Sequence, residues 1–116
     1  MQIDIQARQF SLTNALRSHA ERRLRFVLTC CGDHIQQVVM RLSDINGPRG
    51  GADKRCHLRV VLTGLPDVVV EDTEADLYVA IDRATGRAGR TVGRRLARQR
   101  DTARASGLRD TVAITE

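Results

Sequence analysis

Residues 68–100 read VVVEDTEADLYVAIDRATGRAGRTVGRRLARQR, and a change of period inside this stretch decides the fold. Val68 to Asp72 is a short β-branched run after the turn Gly64-Leu65-Pro66-Asp67, which marks it as a strand. From about Glu74 the apolar residues recur every three or four positions. Leu77, Ala80, Ile81, Ala84, Ala88, Val92 and Leu96 make the buried stripe of one long helix reaching roughly Arg100. A strand turning into a covering helix is the closing unit of a sheet-and-helix domain.

Working back toward the N-terminus, Arg55 to Thr63 reads as a strand with Leu58, Val60 and Leu62 inward and Arg55, His57 and Arg59 outward. Ile35 to Ser43 is another, with Val38, Met40 and Leu42 on one face and Gln37, Val39 and Arg41 on the other. The glycine-rich run from Asp44 to Asp53 connects the two and is expected to be mobile. Before them, Leu16, Ala20, Leu24, Val27 and Leu28 give a first helix its buried face. Ser11 or Thr13 is its N-cap hydroxyl, and Cys31-Gly32 its expected end. Ile3, Ile5 and Ala7 alternate with polar residues in an opening strand. Asp101 to Glu116 has little periodicity. The chain therefore divides into an α+β domain at 1–101 and a flexible C-terminal tail at 102–116. The order β-α-β-β-β-α predicts a two-layer sandwich. One four-stranded mixed sheet carries both helices on one face, its first two strands parallel through a right-handed crossover.

The formal charge of +5, with a pI near 10.0, favours a polyanionic partner, and 18 of the 19 basic residues are arginine. No run approaches the roughly 20 apolar residues of a membrane span, and the first residues read as a strand rather than a signal peptide, so a cytoplasmic protein is expected. Cys30, Cys31 and Cys56 lack metal or redox spacing and are expected as free thiols. His19, His34 and His57 are scattered, and no nucleophile, zinc or nucleotide-loop motif occurs, so neither catalysis, a cofactor, a metal nor a small-molecule substrate is expected.

At about 100° per residue, Arg83, Arg87, Arg90, Arg94 and Arg98 fall within one stripe roughly 80° wide, away from the apolar one. Five like charges at this spacing repel, and a polyanion along the helix removes the conflict. Arg22, Arg23 and Arg25 continue the basic surface on the first helix. Arg41, Arg55, His57 and Arg59 are expected to extend it across the open face or edge of the sheet. The aromatics are Phe10, Phe26 and Tyr78, both phenylalanines in helix or core patterns, so stacking on central strands is excluded in favour of phosphate and shape recognition. Gly86, Gly89 and Gly93 share a face beside the apolar stripe. They imply close packing against the first helix or a second subunit, which leaves a weak homodimer open.

Three segments carry a family resemblance. Met1-Gln2-Ile3-Asp4-Ile5, Leu12-Thr13-x-Ala15-Leu16-Arg17 and, most specifically, Glu74-x-Asp76-Leu77-Tyr78-x-Ala80-Ile81-Asp82 resemble the ribosome hibernation-promoting and ribosome-associated inhibitor proteins, historically called sigma-54 modulation proteins. The resemblance spans about residues 1–100 and implies a fold similar to a double-stranded-RNA-binding domain. It also implies a stress factor that binds small-subunit ribosomal RNA near the decoding region and blocks tRNA and mRNA access. The family's basic positions on the last helix match Arg87, Arg90 and Arg94 here; Arg83 and Arg98 come from the helical wheel alone. The last helix departs from the leucine-rich family pattern in its alanines and glycines, and the 44–54 loop looks long. Long family members join two ribosomes through a further domain, and this sequence is expected to be the short form. A double-stranded-RNA-binding module and a homodimeric stress interaction protein not bound to ribosomes are the alternatives.

Overall fold

The computed structural model describes the backbone of residues 1–8, 10–45 and 53–115, with their side chains except at 30 and 103–115. Six main elements follow one another: β1 (Gln2–Arg8), α1 (Asn14–Leu28), β2 (Ile35–Asp44), β3 (Lys54–Leu62), β4 (Val68–Glu74) and α2 (Leu77–Thr115). The sheet runs in the order β1-β2-β3-β4, with β1 parallel to β2 and the two later pairings antiparallel. The expected β-α-β-β-β-α α+β architecture is thus the one observed.

Strand alternation sends one set of side chains under the helices. Ile5, Val38, Met40, Leu42, Leu58, Val60, Val68 and Val70 are buried there, against Leu16, Ala20, Leu24 and Leu28 of α1 and Ala80, Ile81, Ala84, Ala88, Val92 and Leu96 of α2. Each fully buried Leu, Ile or Val contributes about 1.5–3 kcal/mol of transfer free energy. Thr13 is the N-cap of α1, its hydroxyl accepting from the Leu16 amide at 3.1 Å. Cys31 and Cys56 are both buried, and Cys56 is a free thiol.

Two local expectations are revised and a third is not reached. The first helix stops at Leu28, before Cys31-Gly32, and a 3-10 segment over Thr29–His34 carries the chain into β2. The backbone of α2 stays helical to Thr115, fifteen residues past the expected end near Arg100. The glycine-rich connection lies, over 46–52, outside the described residues.

The glycines of α2 differ from one another. A Cβ placed on Gly89 would run into the Val27 side chain of α1, whereas Gly93 has open space and Gly86 only the Arg90 guanidinium 3.8 Å away. The close approach foreseen from the glycine face is therefore a helix-helix contact within the chain, carried by Gly89. Below it, Asp82 of α2 takes His19 at 2.7 Å and the Arg23 guanidinium at 3.3 Å, and Tyr78 meets the His19 ring edge-on at 4.9 Å. Contacts thus pair residue 19 with 78 and 82, and 27 with 89, so the two helices run side by side in the same direction.

Candidate nucleic-acid interface

The outer side of α2 carries the arginine row, all five members exposed. The wheel that grouped them says nothing of their partners, and these divide the row in two. Arg83 reaches Glu74 at 3.1 Å. Arg87 spans to β4, donating to the Asp72 carboxylate at 3.1 Å and to the Glu71 carbonyl at 3.0 Å. Asp72 points to the helix side of the sheet and is nearly buried, so Arg87 neutralises a carboxylate that water reaches poorly. Arg90, Arg94 and Arg98 make no ion pair among the described residues; Arg94 has only the Thr91 hydroxyl at 3.4 Å. The repulsion inferred from sequence is relieved internally at the start of the row and left standing from Arg90 onward.

Arg23, Arg83, Arg87 and Arg90 line a shallow depression of about 390 Å³ together with Gly86, Asp72 and Asp82. Four guanidiniums against two carboxylates leave an excess of positive charge facing solvent, the electrostatics that attract phosphate. Arg22 and Arg25 are exposed on α1 and carry no ion pair among the described residues. Arg23 reaches the depression because it lies on the α2-facing side of α1, where Asp82 holds it. It lies one helical turn before Val27, the residue of α1 that meets Gly89. Arg95, next in sequence to Arg94, turns away from the row and donates to the Pro66 and Asp67 carbonyls at 2.9 and 3.0 Å, tying α2 to the β3–β4 turn.

The remaining sequence-derived residues sit elsewhere. Arg41 and Arg59 project from the open face of the sheet, opposite the helices. With Val39 and His57 they line a hollow of about 110 Å³. Arg59 is paired to Asp67, its Nε donating at 2.6 Å, and Arg55 to Glu71 at 3.5 Å. This is a second basic surface, separated from the α2 row by the thickness of the sheet. The described residues include no cluster of three or more His, Cys, Asp or Glu able to hold a metal, and no helix long and apolar enough to cross a membrane.

Known proteins share the family and the fold of this chain. The family model described as Sigma 54 modulation protein / S30EA ribosomal protein matches residues 3–100. The chain is similar to the Thermus thermophilus Protein Y N-terminal domain, with 31% identity over 81% of this chain and 98% of that one, at a TM-score of 0.67. A ribosomal subunit interface protein from Coxiella burnetii shares the fold at 21% identity and a TM-score of 0.72, over 84% of this chain and 99% of that one. No curated protein matches the chain. The match takes in every strand, α1 and the part of α2 that carries the arginine row, and the chain belongs to the Sigma 54 modulation protein / S30EA ribosomal protein family.

Proposed function

We propose that this chain is a ribosome hibernation factor. In this reading it binds ribosomal RNA of the small subunit near the decoding region, blocks tRNA and mRNA access under stress, and acts in the cytoplasm by occupancy rather than catalysis. Residues 1–101 form the ribosome-binding unit. The observation that carries the reading is the uncompensated run Arg90, Arg94 and Arg98 on the outer side of α2, in a chain of this family. Such a run stabilises the fold little and fits a phosphate backbone well. Arg22 and Arg25 add exposed basic positions on α1. Arg83 and Arg87 contribute the guanidinium edges that their carboxylates leave free, and Arg41 and Arg59 offer contacts on the opposite face.

The test separates binding from folding. Purified bacterial small subunits are sedimented through sucrose with wild type and with an Arg90→Ala, Arg94→Ala, Arg98→Ala triple variant. Arg87 stays intact because Asp72 depends on it. Wild type is expected to co-sediment, with an affinity that falls steeply with salt, and the triple variant to remain at the top while melting as wild type does. Wild type remaining at the top at low salt refutes the proposal.

A further inference from the structure

Phe26 is 78% exposed, the most exposed large apolar side chain among the described residues. Its place on α1 follows from its neighbours. Leu16, Ala20, Leu24 and Leu28 face the sheet, while His19, Arg23 and Val27 face α2. At about 100° per residue, Phe26 projects from the outer side of α1, one step round from the α2-facing row. Because Val27 meets Gly89, the ring stands level with Gly89 and Arg90. Its surroundings are cationic: Arg22 lies one turn before it, Arg23 leads across to the α2 depression, and Arg25 is adjacent in the chain.

A bare phenyl ring among guanidiniums is poorly matched to water and to an acidic peptide, which offers charge but no flat face. An unpaired nucleotide offers both parts: a base to stack on the ring and phosphates for the arginines on either side. We propose that Phe26 is a stacking platform for one unpaired RNA base, whose flanking phosphates rest on Arg22 and Arg90. This rests on the ribosome-binding reading and deepens it, adding a contact that phosphate recognition alone does not supply. It also puts the aromatic platform on a helix, where the absence of aromatics from the central strands does not bear on it.

The experiment measures affinity for purified small subunits across a salt series, using wild type and the Phe26→Leu, Phe26→Trp and Arg90→Ala variants. Exposure of the ring means that the Phe26 substitutions leave the thermal midpoint unchanged, which a melting curve verifies. Stacking predicts that Phe26→Trp binds at least as tightly as wild type and that Phe26→Leu binds about tenfold or more weakly. Phe26→Leu keeps the wild-type slope of log affinity against log salt, because no phosphate contact is lost; Arg90→Ala lowers that slope by about one unit. Equal binding by Phe and Leu overturns the proposal. Leu tolerated with Trp rejected also overturns it, since that pattern marks an apolar pocket on a protein partner. In both cases wild type still binds and the ribosome reading stands. Wild type failing to bind overturns both.

Discussion

Gly89→Ala isolates the helix-helix contact, because two opposed effects of known size meet at one atom. Replacing a mid-helix glycine by alanine gains about 1 kcal/mol of helix propensity. At Gly93 nothing opposes that gain, since an added methyl has no neighbour within 4 Å. At Gly89 the methyl would overlap Val27 Cγ1, with Val27 Cβ and the Val27 carbonyl at 3.6 Å behind it. Valine is stiff about χ1, so it cannot swing clear and α1 must shift, an overpacking cost of about 1–3 kcal/mol. The net for Gly89→Ala therefore runs from neutral to about 2 kcal/mol destabilising, and for Gly93→Ala about 1 kcal/mol stabilising. At about 4 °C per kcal/mol, the two melting temperatures should differ by roughly 4–12 °C. Calorimetry on both variants, repeated in a Val27→Ala background, completes the cycle. With Val27 shortened, Gly89→Ala should gain its full propensity term and raise the melting temperature. The reasoning is refuted if Gly89→Ala stabilises the protein as much as Gly93→Ala does while Val27 is present.

Three further outcomes follow from individual contacts. Arg87→Ala should lower stability by about 1–3 kcal/mol, because it leaves the Asp72 carboxylate nearly buried and unpaired, while Arg90→Ala changes it by less than about 0.5 kcal/mol; urea unfolding of both variants decides. Asp82→Asn weakens the link to His19 and Arg23 and should cost about 1 kcal/mol, given that all three groups are partly solvated. Its effect should be sub-additive with His19→Ala in a double-mutant cycle, and full additivity would show that the pair is idle. Burial, assisted by the Asp72 charge, pushes the Cys56 thiol up from 9.0 to about 12. Folding therefore favours the neutral thiol, so its stabilisation is intact below pH 9 and is lost as pH rises from 9 toward 12. Asp44 likewise holds the Lys54 ammonium above its usual value, adding loss at the alkaline end. Melting temperature should fall above pH 9, and less steeply in Cys56→Ala than in wild type.

The element order was legible because period two gives way to period 3.6 at Glu74 and the turn residues fall between the strands. The arginine row was legible for the same reason: a helical face is set by spacing alone. What spacing cannot show is which arginines find a partner. Glu74 and Asp72 come under Arg83 and Arg87 because α2 packs across β4, a tertiary fact with no local signature. Likewise Arg41 and Arg59 read as an extension of the row until the sheet is seen to separate them from it. The spacing in α1 carries a further signal. Phe26 falls nearly opposite the Leu16, Ala20, Leu24 and Leu28 row, which marks it as solvent-facing despite its apolar ring.

The strand order in space is also the order in the chain, so each strand emerging during synthesis meets its partner already made. The inner faces of β3 and β4 must nevertheless wait, since α2 is the helix that covers Leu58, Val60, Val68 and Val70. With three glycines between Gly86 and Gly93, α2 has little helical stability of its own and forms on the sheet it covers. As the last element in the chain, α2 closes the core when it docks. It also places the row Arg90, Arg94 and Arg98 on the outer side and brings Phe26 level with Arg90. A half-made copy displays no such surface, so whatever this face binds is reserved for molecules that have finished folding.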